Sequence, residues 1–256
     1  MLSRNFSLQK VGDIRWLSTN YNFSKTSHFI DELVVLDVTR GERNRDNFCS
    51  VIKELAKGCF VPISAGGGIY DVEAARNLLR SGADKVVVNT ALFEKDDLIK
   101  SLASEFGQQC LVASIDIKRG LNGEYRVWTR SGSTCLNGNA SEWMKHILES
   151  DIGELYLNSI DQDGTGQGLD MNLLNLLPGN ISKPVILAGG IGNASHFALG
   201  FADCRVDAIA TANLFNFVGS GLKMARQSLV NGGVRLPLWN MELIDQKSEG
   251  GNDKID

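Results

Sequence analysis

A stretch that the chain spells twice constrains its fold more than any other feature. Pro62 to Ile69 reads Pro-Ile-Ser-Ala-Gly-Gly-Gly-Ile, and Pro184 to Ile191 reads Pro-Val-Ile-Leu-Ala-Gly-Gly-Ile. The glycines are offset by 122 residues (189 − 67), as are Glu32-Leu33 from Glu154-Leu155 and Leu92-Phe93 from Leu214-Phe215. Three landmarks in one register define an internal half-repeat. At 256 residues the chain is also close to the ~250 typical of a single α/β barrel.

The remaining pattern agrees with such a barrel. Apolar runs bounded by turn residues occur at Leu33–Val38, Phe60–Ser64, Lys85–Asn89, Leu111–Asp116, Glu154–Ser159, Pro184–Ala188 and Asp207–Thr211. They are continuous rather than alternating, as expected of parallel strands covered on both faces. Helical spacing appears between them, at Val72–Ser81, Asp96–Phe106, Ser141–Ser150, Ala194–Phe201 and Leu222–Asn231. A weaker first strand at Asn5–Gln9 makes eight, so the expected fold is a (β/α)8 TIM barrel with a half-barrel repeat. Its first helix is shortened to a turn near Ser27–Glu32. Behind the fifth strand an Asn122-Gly123 pair and the alternation of Tyr125, Val127 and Thr129 predict a hairpin. One domain over residues 1–239 is expected, followed by a polar, disordered tail over 240–256.

Composition narrows the function. A net charge of −4 argues against a nucleic-acid-binding surface, and no apolar run reaches the ~18 residues of a membrane span. Five cysteines with no CxxC spacing read as buried thiols of a cytoplasmic chain, and no metal or cofactor is implied.

Active sites of this fold lie at the C-terminal ends of the strands, where the glycines fall. Gly66, Gly67 and Gly68, with Asn89 and Thr90 after the next strand, form one candidate phosphate pocket; Gly189 and Gly190, with Ala212 and Asn213, form its twin. Two pockets on opposite sides of a barrel imply an elongated ligand with a phosphate at each end. The plainer reading is tight β-to-α turns, which duplication disfavours. Glu42, Arg43 and Arg45, after the second strand, either meet a ligand phosphate or are simply solvated.

These motifs resemble the cyclase subunit of imidazole glycerol phosphate synthase, a half-barrel repeat family of histidine biosynthesis. The matching runs include Leu36-Asp37-Val38, Gly66-Gly67-Gly68-Ile69, Gly82-Ala83-Asp84-Lys85-Val86, Ile115-Asp116-Ile117-Lys118-Arg119, Ser159-Ile160-Asp161-Gln162-Asp163-Gly164-Thr165 and Ala188-Gly189-Gly190. The resemblance implies a bis-phosphorylated ligand, held in one half by Gly68, Asn89 and Thr90 near Asp163 and Gly164, and in the other by Gly190, Ala212 and Asn213. It also implies a heterodimer with a glutaminase subunit, whose ammonia enters the bottom of the barrel through a ring of four charges, here Arg4, Glu32, Lys85 and Glu154. Asp84, beside the ring, would face that partner. Without the resemblance, charges at strand starts read equally as surface salt bridges.

The top of the barrel departs from the family pattern. The resemblance implies two catalytic aspartates, one ending the first strand and one in the hairpin. Here Val11 takes the first position, with Asp13 two residues on, and Asn122 stands in the hairpin, where an amide cannot transfer a proton. Asp13, Asp116 and Asn122 are the candidate catalytic residues, Asn122 also reading as a turn residue and Asp116 as a loop cap. The expectation is therefore a synthase-type subunit that passes ammonia to a third enzyme aminating a sugar for surface polysaccharide. Two alternatives stand beside it: a true cyclase working through Asp13 and Asp116, and a non-catalytic scaffold that activates a glutaminase.

Overall fold

Seven short strands pair in parallel and in chain order: β3 (Leu33–Leu36), β4 (Ile63–Gly66), β5 (Lys85–Val88), β6 (Leu111–Arg119), β9 (Glu154–Ser159), β10 (Val185–Ala188) and β11 (Ala208–Ala210). They come from a computed structural model that describes residues 2–9, 27–212 and 220–236. Helices return the chain between strands: α1 (Arg45–Gly58), α2 (Val72–Arg80), α3 (Ala91–Glu94), α4 (Asp96–Phe106), α5 (Ala140–Glu149), α6 (Ala194–Phe201) and α7 (Gly221–Asn231). A 3-10 turn, Met171–Leu176, serves between β9 and β10. Asx side chains start four of the helices, Asn44, Asp71, Asn139 and Asn193 each accepting a hydrogen bond from a first-turn N–H.

The sheet curls until its ends approach. Arg226 of α7, the helix after the last strand, grips Asp31 at the entrance to β3 with two hydrogen bonds of 3.0 and 2.9 Å. Beside it the Lys223 ammonium lies 6.0 Å from the Phe29 ring, in the 3-10 turn Ser27–Phe29 that stands for the stunted first helix. The fold is thus of the (β/α)8-barrel class.

Alternation along each strand separates two apolar layers. Val86, Val88, Ala113, Ile115, Leu155 and Leu157 face outward into the large core shared with the helices. Val87, Val112 and Ile186, with Val34, Tyr156, Ala208 and Ala210, form a second, smaller cluster on the inner face. That inner face is the barrel interior.

The repeat is structural as well as textual. Leu33 N–H donates to Pro62 O and Leu155 N–H to Pro184 O, both at 2.9 Å. Asp84 Oδ2 accepts Ile63 N–H at 2.8 Å and Asp207 Oδ2 accepts Val185 N–H at 2.9 Å. Asp71 and Asn193, again 122 apart, cap equivalent helices.

Several expectations need correcting. Asn5–Gln9 does not form the first barrel strand: β1 (Leu2–Arg4) and β2 (Ser7–Gln9) pair antiparallel with each other as a separate hairpin. Asn5 and Phe6 turn it with φ of +50° and +61°, the left-handed pair that tight hairpins require. The third strand starts three residues later than the expected Phe60–Ser64 and ends two later, because Pro62 has no N–H for the ladder and pairing continues into small Ala65 and Gly66. Helix α1 starts at the Asn44 N-cap, a signal that the sequence reading passes over. The cysteines are free but not buried: Cys49, Cys59 and Cys110 are partly exposed, Cys135 sits on a two-residue edge strand and Cys204 in a turn, both exposed. The predicted hairpin behind the fifth strand is present, β7 (Tyr125–Thr129) pairing with β6 and β8 (Thr134–Cys135) with β7. No described helix is long and apolar enough to cross a membrane. The expected tail lies outside the described residues.

Candidate functional site

Inward-pointing residues stack in levels up the barrel. At the bottom Lys85, opening β5, donates from Nζ to Glu32 Oε2 and to Glu154 Oε1, each at 2.7 Å. Glu32 precedes β3 and Glu154 opens β9, so Lys85 reaches across β4 on one side and β6 on the other. Side chains of alternate strands meet like this only on the inside of a curled sheet. Ser64 Oγ adds a further hydrogen bond to Glu32. All three charged side chains are about four-fifths buried. Burial pulls the Lys85 ammonium down, but hydrogen bonds and charge from Glu154 and Glu32 outweigh it and hold its pKa above the usual lysine value.

Three of the four predicted ring charges therefore meet. Arg4 does not join them: its Cα packs against Gly164, beyond the C-terminal end of β9, at the opposite end of the barrel. The cause is the N-terminal hairpin, which lies over the mouth instead of entering the sheet. Asp84 is exposed beside Lys85, and its carboxylate is already holding the first N–H of β4.

Above the charged level the interior is apolar, with Val34, Val87, Val112, Ile186 and Ala208. At the top it turns polar again. Asp116 of β6 is only 7% exposed, and its carboxyl oxygens accept from Asn89 Nδ2 at 2.9 Å and Asn158 Nδ2 at 3.1 Å. Burial drives its pKa up from 3.8 to about 7, assisted by nearby Asp163 and opposed by the two amides. Tyr156, one inward position below Asn158, is partly buried, and its phenol is pushed up by loss of solvent and by the Asp116 and Asp163 charges. From Glu154 to Asn158 along β9 is about 13 Å at the usual rise per residue.

The glycine turns are built alike in the two halves. Gly67 and Gly68 have φ of +109° and +70°, Gly189 and Gly190 of +97° and +98°. A Cβ on Gly67 would lie 2.2 Å from Asp37 O, and one on Gly190 1.9 Å from Gly168 O, so backbone approach requires glycine. Neither Gly67 nor Gly68 donates its N–H to any group among the described residues, nor do Gly189 and Gly190. Such free successive N–H groups suit an anion. Thr90 Oγ1, one residue after Asn89, accepts Arg130 N–H at 3.1 Å. Ala212 is exposed two residues after β11, and Asn213 lies outside the described residues.

Asp163 and Gly164 hold the N-terminal hairpin. The Asp163 carboxylate accepts from Ser3 Oγ and, at 3.2 Å, from Phe6 N–H, and its carbonyl accepts Asn5 N–H at 2.8 Å. On the far side Arg40 Nη2 donates to Phe6 O at 3.0 Å.

Of the two candidate catalytic residues that the structure describes, Asp116 is inside the barrel and Asn122 is not. Asn122 is exposed at the hairpin tip, where its Oδ1 accepts Glu124 N–H at 3.2 Å and Gly120 N–H closes the loop onto Glu124 O. Its turn role is the one the geometry supports. Asp13 lies outside the described residues. Asn158 was missed by the sequence reading; its inward register two residues above Tyr156 was the available signal.

The family model described as "Histidine biosynthesis protein" matches residues 13–218. A protein of Parasynechococcus marenigrum (strain WH8102), named "Putative imidazole glycerol phosphate synthase subunit hisF2", is 43% identical over 226 residues, covering 88% of this chain and 84% of that one. With a doubled half-barrel, paired glycine turns and these matches in hand, the chain is a divergent member of the histidine biosynthesis protein family, related to imidazole glycerol phosphate synthase subunits.

Proposed function

We propose that this chain is the ammonia-accepting, synthase-type subunit of a glutamine amidotransferase complex, and that it serves amination of a sugar for surface polysaccharide rather than closure of an imidazole ring. The Lys85 bridge between Glu32 and Glu154 carries the reading. It forms a charged seal across the bottom of the barrel, and the apolar lining above it suits neutral ammonia better than ammonium, whose desolvation costs more. At the top, proton-transfer groups are thin: an amide on a hairpin tip replaces a carboxylate, and each such group is typically worth about 10² to 10⁴ in rate.

In this reading a glutaminase docks at the end carrying Lys85 and Asp84, and ammonia leaves at the mouth toward a third, aminating enzyme. The two glycine turns hold a phosphorylated small molecule there. Co-purified with a cognate glutaminase, the chain is expected to raise glutamine hydrolysis without converting the bis-phosphorylated histidine precursor to imidazole glycerol phosphate. Conversion at ordinary turnover overturns the proposal.

Asp116 favours a second reading, the true cyclase. A buried carboxyl with a pKa near 7 both gives and takes protons at neutral pH. Rescue of a histidine auxotroph by the wild-type chain, lost in Asp116→Asn, supports it; failure of the wild type to rescue dismisses it.

A further inference from the structure

Three arginines at the mouth of the barrel, Arg40, Arg43 and Arg130, are not equally engaged. Arg40 donates to Phe6 O and Ser131 O. Arg130 pairs with Glu94 at 2.8 Å. Arg43 is different. Its side chain lies flat over Gly68, Cδ 2.8 Å and Nη1 3.4 Å from where a Cβ would stand, so the absence of a side chain at 68 makes room for it. Its Nε is shielded from solvent yet has no hydrogen-bond partner, and the carboxylate beside it, Asp37 Oδ2, stays at 3.6 Å, outside hydrogen-bond reach. The side chain is 24% exposed, so the charge has Asp37 as a counter-ion but its buried Nε–H has no acceptor.

We infer that Arg43 is the charged clamp of the first-half pocket and takes a phosphate monoester dianion together with the free N–H groups of Gly67 and Gly68. A planar guanidinium matches phosphate oxygens two at a time and forms charge-assisted bonds stronger than those from backbone amides alone. Among the described residues the space at Gly190 is filled by Gly168 O and the Gln162 stem, with no cation against it.

This rests on the two-pocket part of the proposed function and on nothing about ammonia. The test is calorimetric titration of the full chain with 1,5-pentanediol bisphosphate at low salt, without glutaminase. Arg43→Ala is expected to weaken binding at least tenfold, and Arg43→Gln, which keeps a stem over Gly68 and so guards against misfolding, to weaken it similarly. Arg43→Lys retains charge without the fork and falls between. Asp37→Asn removes the nearest competing carboxylate and tightens binding, a change that a merely structural Arg43–Asp37 brace would not produce. Arg45→Ala, whose parent pairs with Asp71 on the surface, leaves affinity unchanged. Equal affinity of wild type and Arg43→Gln, or no binding by the wild type, overturns the clamp. Loss of the clamp with binding intact leaves the ammonia reading standing; an Arg43-dependent site in a chain that stimulates no glutaminase does the reverse.

Discussion

Replacing Asp116 with asparagine removes a carboxyl that the fold holds away from water, and the cost of ionising it follows from the structure. The unfolded chain releases this proton near pH 4 and the folded chain near 7, a shift of about three units. At 1.36 kcal/mol per unit the native state is strained by about 4 kcal/mol once the group is ionised. Between the two values the folded state carries a proton that the unfolded state lacks, so stability falls as pH rises through the window and levels off above 7. From pH 6 to pH 8 the expected loss from this group alone is about 1 kcal/mol.

The amide variant suits the site because one neighbour can adapt. Asn89 Nδ2 donates both to Asp116 and to Ser114 O, which fixes its orientation. Asn158 makes no second bond through its amide nitrogen among the described residues, so it can turn and offer oxygen to the new amide N–H. Urea unfolding of wild type and Asp116→Asn at pH 6, 7 and 8 isolates the group: the variant's advantage should grow by about 1 kcal/mol over this range. The working range stays above the sequence pI of about 5.5, where low net charge invites precipitation. An advantage that does not change with pH refutes the argument and places the Asp116 proton elsewhere.

Other substitutions read other parts of the barrel. Lys85→Met leaves Glu32 and Glu154 facing each other without their shared cation, and should cost about 2–3 kcal/mol at neutral pH; chemical denaturation at pH 7.5 checks it. In the wild type the raised Lys85 pKa gives a contribution that is complete below the unfolded lysine value of about 10.4 and is lost as pH climbs through the higher folded value, visible as alkaline unfolding that Lys85→Met weakens. Arg226→Ala cuts the bidentate grip on Asp31, whose side chain is 52% exposed, so only about 1 kcal/mol and a fall of roughly 2–4 °C in melting temperature are expected. Gly67→Ala forces a methyl into Asp37 O at a φ of +109° and should cost 2 kcal/mol or more, whereas Gly123→Ala, at +86° with its nearest neighbour 3.7 Å away, should cost about 1 kcal/mol; parallel thermal melts separate crowding from backbone strain.

Legibility followed the physics of each segment. Strands β9 and β5 were readable because continuous apolar runs begin at charges that face the axis, and α4 and α6 because their amphipathic spacing runs unbroken between turn signals. The glycine turns were readable because their φ values and close approaches admit no other residue. What failed was non-local. Nothing in Asn5–Gln9 tells whether it pairs with β3 or folds back on Leu2–Arg4, since short polar strands specify register weakly. The placement of Arg4 inherited that ambiguity. Exposure of Cys135 and Cys204 depends on their sitting at an edge strand and a turn, which cysteine's own hydrophobicity does not reveal. The Asn89–Asp116–Asn158 cluster joins three strands, and no spacing along one strand announces it.

The two ends of the barrel interior are under different physical demands. At the bottom, three part-buried charges satisfy one another, and losing any member strands the rest, so the set stays or goes as a unit. The top carries no comparable mutual requirement: Asn122 at an exposed tip is held by its own turn, and replacing a carboxylate there with an amide costs the fold almost nothing. Inside the mouth, an ionised Asp116 costs the fold stability at neutral pH. A group whose ionisation strains its own fold is better explained by chemistry at the mouth than by architecture. The glycine turns fit the same division, since their backbone geometry is required by packing in both halves while Arg43, which packing does not require to carry a charge, stands over one of them.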